Sequence, residues 1–213
     1  AKEKSSDKTQ ATKADPSKEE VLDGYQFNLT STYQAWGLLY GRDKKGNSVE
    51  GATPYKANDK RVNVSVIDTG FDLSHKDLIS NVTREAKVYP QTLSGKNNNI
   101  DYDPGSHGTH VAGIIGADYG NGIGIAGIAS GFDNDLVDVN VFSASGDGKY
   151  FMTVDIIIAL KGAEIKGSDI INLSLGVNTK DQATHLVTKD LYEKGIIIVA
   201  ASGNESTDVF TSP

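Results

Sequence analysis

Four short runs rich in β-branched and apolar residues limit most strongly what this chain can fold into: residues 62–67 (VNVSVI), 136–141 (LVDVNV), 169–174 (DIINLS) and 196–201 (IIIVAA). The stretches between them carry helical spacing. Val154, Ile157, Ile158 and Ile165 share one helical face, with Gly167 where a C-terminal cap belongs, and Ala183, Leu186, Val187 and Leu191 do the same between Asp181 and Gly195. Strands alternating with helices predict an α/β domain built on a doubly wound parallel sheet with helices on both faces. Functional groups in such sheets gather beyond the C-terminal strand ends. Three runs deliver polar or glycine-rich turns to that rim: Asp68-Thr69-Gly70, Leu175-Gly176 and Ser202-Gly203-Asn204-Glu205. A sheet that stopped at the fourth run would expose an apolar edge and leave helix faces uncovered.

Within 213 residues this pattern divides the chain into a flexible polar tail, residues 1–20, and one folded unit, residues 21–213. The tail is dominated by Lys, Ser, Thr, Asp and Glu with Ala as its apolar type, too little to offset the entropy of ordering. It lacks the charged and apolar regions of an export signal, so it reads as the start of a processed exported protein or as a cytosolic extension. No apolar run approaches the ~18 residues of a membrane span. The formal charge of −7, with no basic stripe, argues against nucleic acid as a partner. The absence of cysteine excludes disulfides and thiolate metal sites and leaves the redox compartment open.

Asp68, closing the first run, reads either as a cap for the following turn or as a functional carboxylate. In Ser106-His107-Gly108-Thr109-His110-Val111-Ala112-Gly113 a histidine opens a helix whose small residues allow close packing. A capping or surface histidine fits that position. His107 and His110 also have the i, i+3 spacing of a metal pair, but without an HExxH or HxxEH pattern or a third ligand nearby.

Taken together, Val66-Ile67-Asp68-Thr69-Gly70 and Ser106 to Gly113 closely resemble the Asp and His boxes of the subtilisin-like serine proteases, in that family's chain order of Asp, His, Ser. Asn172-Leu173-Ser174-Leu175-Gly176 resembles the family's substrate-binding strand, and Ala200-Ala201-Ser202-Gly203-Asn204-Glu205 its oxyanion-asparagine loop. The resemblance runs from about Asn63 to Glu205. It implies a serine endopeptidase in which His107 is the general base, Asp68 its orienting carboxylate and Asn204 a donor to the developing oxyanion. A peptide or protein substrate would lie as an added strand along Ser174, Leu175 and Gly176, with Gly146, Asp147 and Gly148 on its other side. Gly146-Asp147-Gly148 also reads as an ordinary turn, and Leu175 as core. The resemblance implies that His110 packs under the site. Glu205 is either near the pocket for the residue before the cleaved bond, favouring Lys or Arg there, or a solvated carboxylate.

The resemblance further implies a Ca²⁺ site made by Asp77, the Asn121 side chain and the carbonyls of Ile123 and Ile125, although Asp118-Tyr119-Gly120 makes that loop about one residue longer than the common pattern. The family's nucleophile, in a Gly-Thr-Ser-x-Ala segment beyond the asparagine loop, has no counterpart here. The expected partners are therefore a C-terminal Ser-bearing segment of the same protease, absent or separate, and a propeptide. The expected location is secreted or cell-surface, and the chain strictly alone is expected to be inactive. Two other readings stand beside this one: a pseudoprotease acting as a peptide-binding or regulatory module, and a nucleotide- or metal-binding α/β domain that mimics the boxes without a Gly-x-Gly-x-x-Gly or P-loop. Asn-x-Ser/Thr tripeptides at Asn28, Asn63, Asn81, Asn172 and Asn204 are poor glycosylation sites, since Asn63, Asn172 and Asn204 lie in or beside predicted buried strands.

Overall fold

The computed structural model describes residues 23–54, 60–78, 80–83, 103, 105–145, 150–176 and 181–204. All four predicted runs are strands of one parallel sheet, made of β1 (Val62–Asp68), β2 (Val82–Thr83), β3 (Val137–Ser143), β4 (Ile170–Leu173) and β5 (Ile197–Ala200) in the order β2-β3-β1-β4-β5. β4 and β5 begin one residue later than their runs and end one earlier, while β3 begins one later and extends two residues further, to Ser143. β2 escaped the sequence reading because two residues carry no periodicity. The chain moves from β1 to β3 on one side and then crosses back over β1 to reach β4, so β1 occupies the switch point where such sheets place their ligands.

Alternation along β1 shows why the sheet needs cover on both sides. Val64 and Val66 turn to a cluster with Val137, Val139, Val141 and Phe71, closed by Ala112 of α3 (His107–Gly116). Ile67 turns the other way, with Phe142, Ile171 and Leu173, against α4 (Thr153–Ile165) and Leu191 of α5 (Gln182–Glu193). Each fully buried side chain of this size contributes about 1.5–3 kcal/mol of burial free energy, which explains why β1 carries apolar residues on both faces, with Asn63, Ser65 and the terminal Asp68 as its polar positions.

The helix boundaries follow local chemistry. The Asp181 side chain accepts the amides of Ala183 and Thr184 at the start of α5. Gly167 (φ +72) and Gly195 (φ +89) supply the left-handed residue past α4 and α5. Ser168 then donates to the Ala163 carbonyl and Ile196 to that of Leu191, closing both ends.

The face expected to bury on α4 is corrected. Ile156, Ala159, Leu160 and Ala163 are buried, whereas Val154 and Ile158 are exposed and Ile165 is 84% exposed. The first half of this helix is apolar nearly all round, so periodicity does not choose a side. Small residues do: a Cβ on Gly162 would already come within 3.0 Å of Phe142 Cε1. On α5 the correction is smaller, since Val187 and Leu191 face the core while Leu186 and Ala183 are exposed. Asp155 is buried with the core face of α4, and its Oδ1 has no hydrogen-bond partner among the described residues. Burial pushes its carboxyl above the ordinary range. The unfolded chain therefore gives up this proton first, so the group favours the fold at low pH and opposes it above its folded value.

Before the sheet lie two helices that the sequence reading left unassigned, α1 (Asp23–Leu29) and α2 (Thr32–Tyr40). They dock through an aromatic cluster of Phe27, Tyr33 and Trp36 with Tyr119 and Phe132, edge to face, and Trp36 Nε1 donates to the Ile128 carbonyl at 3.0 Å. Shortness and the left-handed Ser31 (φ 55) between them hid these helices, although Tyr33, Trp36 and Tyr40 have helical spacing. The tail expected over residues 1–20 lies outside the described residues. At the other side of the sheet, β5 pairs with β4, and Ile197 and Val199 are 57% and 50% exposed. No helix among the described residues is long and apolar enough to cross a membrane.

Candidate active site

Asp68 ends the central strand completely buried, and its Oδ1 lies 2.8 Å from Nδ1 of His107, the first residue of α3. A carboxylate only accepts, so Nδ1 carries the proton of this bond, and in a neutral imidazole that arrangement leaves the lone pair on Nε2. The same Oδ1 accepts the Thr69 amide at 2.7 Å and the Thr69 hydroxyl at 3.1 Å. Ala144 donates its amide to the Asp68 carbonyl at 2.9 Å, fixing the strand end from the β3 side. The His107 side chain is 53% exposed, so a buried anion orients an imidazole that solvent and solutes can reach.

Close approach of helix start to strand end makes this possible, and it depends on Gly108. A Cβ there would stand 2.1 Å from the Gly70 carbonyl oxygen and 3.0 Å from Asp68 Cβ. No rotamer change relieves the first contact, because its partner is backbone.

All strands being parallel, their C-terminal ends share one rim. Ser174, Leu175 and Gly176 leave β4, which pairs directly with β1. Asn172 Nδ2 donates to Ser174 Oγ at 2.9 Å, Leu175 is half-buried against the core, and among the described residues beyond its chain neighbours no atom lies within 4 Å of where a Gly176 Cβ would be. Asn204 follows β5 after the left-handed Gly203 (φ +87) and is exposed. β5 is the second strand from β1, a separation of roughly 10 Å at the usual interstrand spacing. Gly146, Asp147, Gly148 and Glu205 lie outside the described residues.

His110 is corrected: it is exposed, not packed beneath the pair. Being one turn along α3, it faces a cavity of about 500 Å³ that Asp72, His75, Asp77 and Asp103 also line. Hydrogen bonds from the Ser74 hydroxyl and amide hold the Asp72 carboxyl below its usual range.

Asp77 is buried and wrapped by the 121–125 loop, where Gly124 (φ +62) passes so close that a Cβ would fall 1.9 Å from Asp77 Oδ2. Its oxygens accept Asn121 Nδ2 at 2.7 Å and the Ile125 amide at 2.9 Å, while Asn121 Oδ1 accepts the Ile123 amide at 3.0 Å. A calcium ion takes six to eight oxygens, and Asp77 is the one carboxylate this loop encloses. Asp118 is nearby but is occupied by Ser80, and burial raises its carboxyl.

Comparison with known proteins identifies the family to which this chain belongs. The model of the "Subtilase family" of peptidases matches residues 59–213. The chain belongs to the subtilase family. Subtilisin of Bacillus pumilus is 39% identical over 151 residues, which cover 71% of this chain and 50% of that protein. The thermophilic serine proteinase of Bacillus sp. strain AK1 is 31% identical over 195 residues, covering 89% of this chain and 41% of that one. The crystal structure of the psychrophilic subtilisin-like protease Apa1 from Pseudoalteromonas sp. AS-11 superimposes with a TM-score of 0.54 at 27% identity, covering 67% of this chain and 31% of that one. The chain thus spans half or less of the length of these relatives.

The subtilase match begins at residue 59, so α1 and α2 precede the matched region. Within this subtilase frame the sequence reading missed one group at the site, Asp103, whose carboxylate accepts from Thr69 and Thr109 on either side of the Asp68–His107 pair. Its signal was available: an acidic residue six positions before a helical threonine whose own N-cap, Ser106, makes no side-chain cap bond.

Proposed function

We propose that this chain supplies the orienting carboxylate, the general base and one oxyanion donor of a subtilisin-type serine endopeptidase, with the nucleophilic serine on a C-terminal segment of the same protease. The observation that carries this reading is the 2.8 Å bond from His107 Nδ1 to the buried Asp68, at the end of the switch-point strand. With Nδ1–H committed to Asp68, Nε2 takes the proton of a serine hydroxyl as its oxygen attacks the scissile carbonyl carbon. The imidazolium so formed is stabilised by Asp68 and returns the proton to the departing amine. Water then enters by the same route and frees the acyl group from the serine. The Asn204 amide donates to the oxyanion of each tetrahedral intermediate.

Substrate is a peptide or protein segment held in extended form beside Ser174, Leu175 and Gly176. The missing side chain at Gly176 leaves room for a peptide backbone there. A propeptide would use the same groove. Secretion or display at the cell surface is the proposed location, on the likeness to the Bacillus subtilisins. The deciding experiment joins this chain to a Gly-Thr-Ser-bearing segment and assays hydrolysis of a peptide anilide. Turnover by the joined protein and none by the 213-residue chain is the expected result; turnover by neither would remove the endopeptidase reading.

Calcium is proposed at the Asp77 loop as a structural ion that takes no part in the hydrolysis. The donors fit in part: turning over the Asn121 amide would set its oxygen beside the Asp77 carboxylate, and the carbonyls of Ile123 and Ile125 belong to the same loop, but the Ile125 amide now points at Asp77. When bound, the ion would cross-link the loop after α3 to the segment after β1. Calorimetric titration should show heat of binding, with a higher unfolding midpoint in Ca²⁺ than in chelator. No heat and no shift would eliminate the site.

A further inference from the structure

We propose that Asp103 is the positioning residue that sets the Asp68–His107 pair, by tying the end of β1 to the start of α3 with one carboxylate. Its Oδ2 accepts both the amide and the hydroxyl of Thr109, at 2.9 and 2.6 Å. Its Oδ1 accepts the Thr69 hydroxyl at 3.3 Å, and that hydroxyl also lies 3.1 Å from Asp68 Oδ1. The Thr109 hydroxyl in turn accepts the Asp72 amide at 2.9 Å, bringing in the chain beyond Gly70. Asp103 thus touches the residue next to Asp68 and the residue two past His107.

The helix start explains why an outside carboxylate is needed. Ser106 occupies the N-cap position in a left-handed conformation (φ 53) and makes no side-chain cap bond. The Thr109 amide, the third of the helix, is satisfied by Asp103 instead, and a negative charge at this end suits the helix dipole. Gly108 lets α3 come close to the strand end. The Asp103 bridge then limits how far α3 can rotate or slide there, and a shift of an ångström would break a 2.8 Å bond. Asp103 makes no contact with His107 or Asp68 among the described hydrogen bonds, so it acts through the two threonines.

The inference rests on the proposed function only in calling the pair catalytic. It is tested by proton NMR of the 213-residue chain, following the low-field resonance of His107 Nδ1–H hydrogen-bonded to Asp68, with core methyl signals as a measure of folding. Asp103→Ala is expected to lose that resonance at temperatures where the methyl dispersion is native. Asp103→Asn, which keeps an oxygen for Thr109, is expected to retain it. An Asp103→Ala protein that keeps the resonance, even with a lower unfolding midpoint, would reduce Asp103 to a helix cap and overturn the proposal. Should Asp103→Ala fail to fold, Thr109→Val removes the hydroxyl link at equal volume. A broadened resonance in that variant supports the bridge, and an unchanged one refutes it. Loss of the endopeptidase reading would leave these signals as they are, so the two failures are separable.

Discussion

Gly108→Ala is expected to be among the most damaging single substitutions in the folded part of this chain. The new methyl would stand 2.1 Å from the Gly70 carbonyl oxygen, and 3.2 Å from the Phe71 ring. Because the first obstacle is backbone, α3 must retreat from β1, and overpacking of this kind costs about 3 kcal/mol or more. For a chain of this size that lowers the unfolding midpoint by roughly 6–12 °C. The retreat also lengthens the bond between His107 and Asp68, so the low-field imidazole proton should vanish in whatever fraction remains folded. Thermal melting with proton NMR checks both parts. A variant with an unchanged midpoint would mean that the helix start is not held against the strand end as described.

Asp68→Asn is expected to keep the fold and remove nearly all turnover from the protein joined to its Ser-bearing segment. The amide can place an oxygen or an N–H toward Nδ1, and Thr69 already donates to Oδ1, so the asparagine oxygen goes to Thr69 and His107. What disappears is the negative charge that stabilises the imidazolium. Removing the orienting carboxylate of a serine-protease triad costs about 10⁴ in kcat, a magnitude known from other serine proteases, subtilisin included. The proposed substrate contacts along Ser174 to Gly176 are untouched, so KM should change little. Steady-state kinetics on a peptide anilide separates the two quantities. A loss of less than tenfold would place the essential base elsewhere.

Much of the frame was legible because the sheet is buried on both faces: runs such as VNVSVI leave little alternative to a central parallel strand. Asp68 and His107 each read equally as a cap when taken alone, and were legible as a pair only through the two boxes that resemble those of the subtilisin-like proteases. The covered face of α4 was not. Val154, Ile157, Ile158 and Ile165 form as good a stripe as the residues that are buried, and the choice is made by the fit of Ala159, Gly162 and Ala163 against Phe142, a tertiary matter. The docking of α1 and α2 was equally hidden, since Trp36 is buried by Tyr119, Ile128 and Phe132 from far along the chain. His110 illustrates the limit of reading by resemblance. Its position in the motif suggested packing, yet it lines an open cavity.

The central claim is that this chain holds the orienter and base of a serine nucleophile it does not itself carry. Labelling with a fluorophosphonate, followed by mass spectrometry of the labelled peptide, tests it most directly. The account predicts no label on any serine of the 213-residue chain alone. In the protein joined to a Gly-Thr-Ser segment it predicts label on that serine, and far slower labelling when His107 is replaced by alanine. Label on a serine within this chain, such as Ser106 or Ser174, would contradict the account, and so would a joined protein that binds peptide but never labels, which is the behaviour of a pseudoprotease.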